Sequence, residues 1–415
     1  MAIGKRIRTF FGDPALALTV FGLTIFGIAM IYSAGQLDVP KPGVDGAWRN
    51  QVMWFAISLI GMFVVMRVQV RWIEWLAVPL YVIGLMALIA TLVIGTGAGT
   101  AAGTKSWLRF GGFMVQPSQF ANLATIMMLG KTMGAWRERP SSLFDLAKPL
   151  LIVAVPMLLV LAQPDLGTAM VFGGLMLATL YWAGTPLGLM FMLVSPILAL
   201  FIAIIPWLFS IYMLGLIAFL YFYRAYFWEG AVIVVANLAA GTIGKPLWNT
   251  LEEYQKNRLL VFLDPMIDPR GAGYNVIQSK VAIGSGGAYG KGFLDGTQKR
   301  LAFLPEQHTD FIFAVIGEEM GFLFGTLVVI VAYGIILWRL IKLAERISDP
   351  FAGIVIFGIF GAWFTHIIVN IGMTVGVMPI TGIPLPFLSY GGSFLLATYL
   401  ALGVAQRVAT EQGRI

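Results

Sequence analysis

The sequence predicts an all-α, polytopic helical membrane protein with about 10–12 transmembrane helices and one long extracytoplasmic loop. Three observations predict it. Charged residues make up only 11% of the chain and hydrophobic ones 59%, whereas a soluble globular domain carries roughly 25% charged residues. The mean hydropathy is +0.86. The apolar residues fall in runs of about 20 without polar alternation, the length of a spanning helix rather than the pattern of a barrel strand.

The first run, residues 15–34, follows Lys5, Arg6, Arg8 and the acidic Asp13. That order reads as a helix held by a basic cytoplasmic flank, not as a cleavable signal peptide. Runs at 51–66, 73–95, 119–135, 149–163, 167–184 and 187–206 follow, and 311–338, 352–374 and 391–408 close the chain. Between them lies shorter apolar material at 207–223 and 231–244, interrupted by Gly and Pro; an extra helical hairpin is expected there.

Charge fixes the parity. With both termini cytoplasmic, Arg67, Arg71, Lys131, Arg137, Arg139 and Lys148 fall inside. Arg339, Lys342 and Arg346 join them only if 207–244 crosses twice or not at all, and the short outer loops then hold only Lys41, Arg49, Lys105 and Arg109. This is the positive-inside bias, and about twelve spans satisfy it best. Residues 1–415 then form a single transmembrane domain. The same anchors account for the net charge of +7. No basic cluster is interleaved with aromatics as a nucleic-acid groove requires, so a nucleic-acid partner is not expected. The chain has no cysteine, which excludes disulfides and thiolate metal sites.

Residues 245–310 read as one long, polar, Gly-rich outer loop, and loops of that length are usually functional. It carries Asp264, Asp268, Asp295, Glu306 and Asp310 beside Lys280, Lys291, Lys299 and Arg300. Within it, IGSGGAYGKG (283–292) has five glycines in ten residues and reads as a flexible loop or a phosphate cradle, without Walker spacing. LPEQHTDF (304–311) sets Glu306, His308 and Asp310 just before an apolar helix. Asp310 there is either a helix cap or a partly desolvated general base. Glu318 and Glu319, about two turns further on, either line a polar channel or hold neighbouring helices. QPDLGT (163–168), KSWLRF (105–110) and PITGIPLPFLSYGGS (379–393) bring more polar residues to the same side. His366 and Asn370, i and i+4 on one span, read as helix-packing hydrogen bonds rather than a metal site.

The stretch FLDPMIDPRGAGYNVIQSKVAIGSGGAYGKGFLDGTQKRLAFLPEQHTDFIFAVIGEEMGF (262–322), with QPDLGT, VQPSQFA (115–121) and GIPLPFLSYGGS (382–393), resembles the SEDS family (shape, elongation, division and sporulation). The resemblance covers nearly the whole chain, and its motifs are long and specific. IQSK-x-AIGSGG, GKG and GTQ together favour the elongation branch of the family over the division branch.

The resemblance implies a peptidoglycan glycosyltransferase of the bacterial cytoplasmic (inner) membrane. It would polymerise lipid II into β-1,4-linked strands during lateral wall elongation and rod-shape maintenance, beside a class B penicillin-binding protein and other elongation-complex membrane proteins. The family's essential aspartate matches Asp310, which makes it the expected base. Lys280, Arg258, Lys105 and Arg109 are candidates for the pyrophosphate by charge and position, and Gln278, Ser279, His308, Glu306 and Asp165 are further candidates for the substrate site. A divalent cation, Mg or Mn, is the one cofactor expected, with no ligand set assigned.

Two features depart from the family. Where it has Q-P-S-E-x-x-K, this chain has Gln119 and Asn122, a neutral pair expected to do the structural work of the lost ion pair; the hairpin at 207–244 is also extra. A lipid II flippase is the alternative reading and a non-enzymatic scaffold the third. A long outer loop ending in a carboxylate at a helix entrance favours the enzyme.

Overall fold

The structure, a computed structural model, describes residues 11–38, 44–97, 105–111, 113–224, 226–250, 256, 261–262, 264–269, 271–301 and 303–412. Its helices are α1 (Pro14–Gly35), α2 (Ala47–Arg67), α3 (Val70–Ile94), α4 (Pro117–Gly134), α5 (Ala147–Leu161), α6 (Leu166–Trp182), α7 (Leu187–Ile202), α8 (Pro206–Tyr223) and α9 (Phe227–Thr250). They continue with α10 (Ala272–Gly286), α11 (Thr297–Arg300), α12 (Ile312–Gly321), α13 (Leu327–Arg346), α14 (Pro350–Val375) and α15 (Gly392–Gln412). A short hairpin, β1 (Leu108–Phe110) with β2 (Phe113–Val115), pairs Leu108 with Val115.

Among the described residues, nine helical segments are long and apolar enough to cross a membrane, α8 and Phe227–Gly244 included; α6 and α7 are shorter apolar helices. The protein is thus a multi-pass helical membrane protein. Several helices start as their sequences dictate. Asp13 and Asp349 accept from the backbone N–H of Leu16 and Phe351, and Pro14 and Pro350 occupy the first helical position, where a missing N–H costs nothing.

The centre of the bundle is α14, with 78% of its apolar window buried, whereas α8 at the periphery has 11%. The α7–α8–α9 unit is pinned from within. Asn237 donates to Ser195 Oγ at 2.9 Å, and the Tyr212 hydroxyl lies 2.8 Å from Asn237 Oδ1.

Polar contacts at the helix ends assign the two faces. Arg339 donates from Nε (2.9 Å) and Nη2 (2.5 Å) to Asp13 Oδ2. Gln406 exchanges two hydrogen bonds with the Asp13 backbone, and Glu411 accepts from Val70 N. The start of α1, the α2–α3 turn and the ends of α13 and α15 therefore share one face. The end of α1 meets Lys299 and Gln307 on the other.

Two expectations need correction. Residues 245–310 are not one long loop: α9 runs on to Thr250 and α10 fills 272–286. Val276, Ser279 and Ala282 are buried at helical spacing, a period the flanking glycines conceal. The expected span at 311–338 lies within one apolar segment long enough to cross, Ile312–Arg346, but its helix is interrupted. Gly321 adopts φ 70° and the π turn Phe322–Thr326 follows, so α12 and α13 are separate helices.

Candidate active site

The turn before α12 winds around Glu306, whose carbonyl accepts from Thr309 N and Asp310 N at 3.2 and 3.1 Å. The N-cap of α12 is Phe311, with no side-chain cap bond. Asp310 stands one residue outside the capping position and is half-buried. Its carbonyl accepts from Asn370 Nδ2 at 2.8 Å, and the same amide donates to Ile383 O at 2.6 Å. Its carboxylate faces the 379–393 segment: a Cβ on Gly382 (φ 68°) would lie 3.2 Å from Asp310 Oδ2.

The segments 304–311 and 379–393 are bonded into one shelf. Ser389 Oγ donates to Thr309 O (2.6 Å), Tyr390 N to His308 O (2.9 Å), and the His308 and Tyr390 rings lie 5.3 Å apart. Gln51 on α2 donates to Ser389 O and accepts from Gly391 N, and Gln307 Nε2 donates to Ala34 O at 2.7 Å. His366 Nδ1 lies 3.0 Å from Pro384 O, so His366 and Asn370 hold this loop, as packing residues do. Burial pushes the His308 imidazole below its ordinary range, partly opposed by the Glu306 carboxylate, which leaves it neutral at neutral pH. Sequence reasoning missed Gln51, Gln307 and Ser389. For Gln51 the available signal was an uncharged amide heading an apolar run; Gln307 and Ser389 lie in loop motifs that offered none.

The other candidates fall into distinct places. Asp165 caps α6 through Thr168 N and also accepts from Thr168 Oγ1 (2.8 Å) and Gln116 Nε2 (3.0 Å). Burial raises its pKa and those three bonds pull it back. Its oxygens are engaged in joining α6 to α4. Gln119 donates to Gln116 Oε1 at 3.2 Å rather than to Asn122, and Asn122 Oδ1 has no hydrogen-bond partner among the described residues. The expected amide pair is therefore not a direct bond; both side chains line a cavity of ≈ 30 Å³ with His366, Trp363, Phe394 and Thr398.

Ser279 is buried and donates to Thr374 O at 2.7 Å, which removes it from a substrate surface. On the same helix Gln278 is half-buried and Lys280 is exposed, with the Lys280 side chain lying over Gly376 at the end of α14. Lys105, just before the β hairpin, and Arg109, within β1, are exposed, and the hairpin packs Phe113 on Trp54 of α2. Arg258 lies outside the described residues. Glu306, His308 and Asp310 share one turn.

The glycine run is neither a flexible loop nor a phosphate cradle. Lys291 N and Gly292 N donate to Glu318 O and Glu319 O, and Phe322 N donates to Gly287 O, all at 2.9–3.0 Å. A Cβ at Gly321 would collide with Gly290 N. The glycines let two backbones meet. Glu318 and Glu319 are buried and paired with Lys291 and Lys299, so they hold neighbouring segments rather than line a channel. Among the described residues no three His, Asp or Glu side chains converge to hold a metal ion.

The family model described as cell cycle protein, FtsW/RodA/SpoVE, matches residues 14–220 and 208–414. The peptidoglycan glycosyltransferase MrdB of Escherichia coli is 33% identical over 96% of this chain and 94% of its own. The stage V sporulation protein E of Bacillus subtilis is also 33% identical, over 96% and 97%. A solved structure described as the structural coordination of polymerization and crosslinking by a peptidoglycan synthase complex is 28% identical. It matches with a TM-score of 0.72 over 97% of this chain and 99% of that one.

Proposed function

The chain belongs to the FtsW/RodA/SpoVE family, and from that premise we propose that it polymerises lipid II into β-1,4-linked glycan strands with Asp310 as general base. It is a peptidoglycan glycosyltransferase. The observation that carries the proposal is the setting of Asp310. Asp310 is half-buried just before the apolar helix α12, its carbonyl accepts from Asn370, and its Oδ2 faces Gly382 across the shelf. A carboxylate so placed can take the proton of an acceptor's sugar hydroxyl as that oxygen attacks.

In the proposed step the 4-hydroxyl of an acceptor GlcNAc attacks C1 of a donor MurNAc. The C1–O bond to the polyprenyl pyrophosphate breaks with inversion, and the hydroxyl proton passes to Asp310. Lys280, Lys105 and Arg109, with Arg258, supply positive potential for the leaving pyrophosphate. His308, neutral, borders the turn. A divalent cation, Mg or Mn, would accompany the pyrophosphate and be held by its oxygens.

The elongation and rod-shape role rests on the IQSK-x-AIGSGG, GKG and GTQ pattern, since relatives of different names reach the same identity. A class B penicillin-binding protein as partner, alongside other membrane proteins of the elongation machinery, fits the polymerising and crosslinking complex that this fold resembles. The test is purified protein, alone and with its transpeptidase, incubated with lipid II and resolved for glycan chains. Chains from neither preparation would overturn the proposal.

Two further results are expected. Gly382→Ala sets a methyl against Asp310 Oδ2 and a side chain at φ 68°, a conformation costing about 1–2 kcal/mol. Displacement of the base should lower turnover roughly ten- to a hundred-fold in a variant that remains folded. Unchanged turnover would place Asp310 elsewhere. The second result concerns topology, with both termini cytoplasmic and the Asp310 face outside. Cysteines placed singly at exposed Ser285 and Ser348 should react with an impermeant thiol reagent in intact cells at 285 only; reaction at 348 alone would invert the arrangement.

A further inference from the structure

Helix α12 is only ten residues long, and the break at Gly321 (φ 70°) with the π turn after it uncouples it from α13. The packing of α13 therefore does not by itself fix the depth or rotation of α12; its own buried sides, Ile312 to Ile316 among them, and the anchors at its two ends do so together. The near end is the Asp310 turn. The far end carries Glu318 and Glu319, both buried, where an ionised group is costly unless paired.

Both are paired with the strap that runs from α10 through α11. Lys291 Nζ lies 2.8 Å from Glu318 Oε1, which also accepts from Gln298 N (2.9 Å) and Thr297 Oγ1 (3.2 Å). Lys299, 1% exposed, pairs with Glu319. Its ammonium donates to Ser33 O (3.0 Å) and to the Ser33 hydroxyl, and that hydroxyl donates its one proton to the Glu319 carboxylate, whose Oε1 and Oε2 lie at 2.7 and 2.6 Å. The next residue of α1, Ala34, accepts from Gln307, three residues before Asp310. One turn at the end of α1 thus holds α12 from both sides.

A fully buried Lys–Glu pair seldom stabilises a protein more than apolar side chains of the same volume would, and its attested use is to fix registry. We propose that Lys299, Glu319 and Ser33 are positioning residues for the polymerisation step. They tie the last turn of α12 to α1 and so set where Asp310 stands against the acceptor hydroxyl. The proposal rests on the reading of Asp310 as the base.

The test compares Lys299→Met/Glu319→Gln, which removes both charges at nearly constant volume, with Ser33→Ala, which removes only the bridging hydroxyl. Each is measured in complex with the transpeptidase for thermal midpoint, KM for lipid II and kcat. The double variant is expected to unfold within a few degrees of the parent and keep KM within about two-fold, while kcat falls roughly ten- to a hundred-fold. Ser33→Ala should lose kcat by roughly three- to ten-fold with the same KM. A folded double variant with the parent's kcat overturns the proposal. So does parental kcat in Ser33→Ala if the double variant does not fold. Asp310→Asn run in parallel separates the two readings. Normal polymerisation by that variant removes the base and this proposal with it, whereas its inactivity beside a fully active double variant removes the positioning role alone.

Discussion

Asp310→Asn is expected to leave the chain folded and bound to its transpeptidase while lowering lipid II polymerisation by ~10²–10⁴-fold. The substitution keeps the size of the side chain but cannot accept a proton at neutral pH. Loss of a helix cap would cost ~0.5–2 kcal/mol, but the cap of α12 is Phe311, so stability should change little. Thermal midpoint, co-purification and glycan-chain length are read on the same preparation. Polymerisation near the parental rate by a folded variant would sink the assignment of Asp310.

The largest effect on stability is expected at Gln119. This residue of α4 is 5% exposed, and its amide donates to Gln116 Oε1. Gln119→Glu removes that donor and leaves an unpaired carboxylate in the cavity, a loss of ~3–5 kcal/mol for a fully buried charge. Asn122, one turn on, lines the same cavity with an unpartnered Oδ1. Adding Asn122→Lys brings a cation to the new carboxylate and should recover much of the loss. Equal unfolding free energies for the single and double variants would show that the two positions do not couple.

The membrane fold was legible because twenty-residue apolar runs admit few other structures. What hydropathy could not show were changes of conformation within a run of constant character. The break at Gly321 falls just after Glu318 and Glu319 in a segment whose mean hydropathy is that of a span, and α10 lies inside a segment whose glycines mimic a loop. At the site, Asp310 was legible as the last polar residue before a helix. Its supports were not, because Ala34, Gln51, Asn370 and Ser389 arrive from α1, α2, α14 and the 379–393 segment, far away in sequence. Glu318 and Glu319 left two readings open from sequence, and the pairing with Lys291 and Lys299 decides between them. Ser279 illustrates the converse: its motif position is conspicuous, but its hydroxyl is engaged with Thr374 O.

The central claim is that a proton leaves the acceptor hydroxyl for Asp310, and the pH dependence of kcat/KM for lipid II tests it most directly. The parent enzyme should gain rate about tenfold per pH unit on the acid side and then level off, as a single base ionises. The residual rate of Asp310→Asn should be flat over the same range. Glu306 and His308 share the turn, so a limb that persists unchanged in Asp310→Asn would assign the ionisation to one of them and contradict the account.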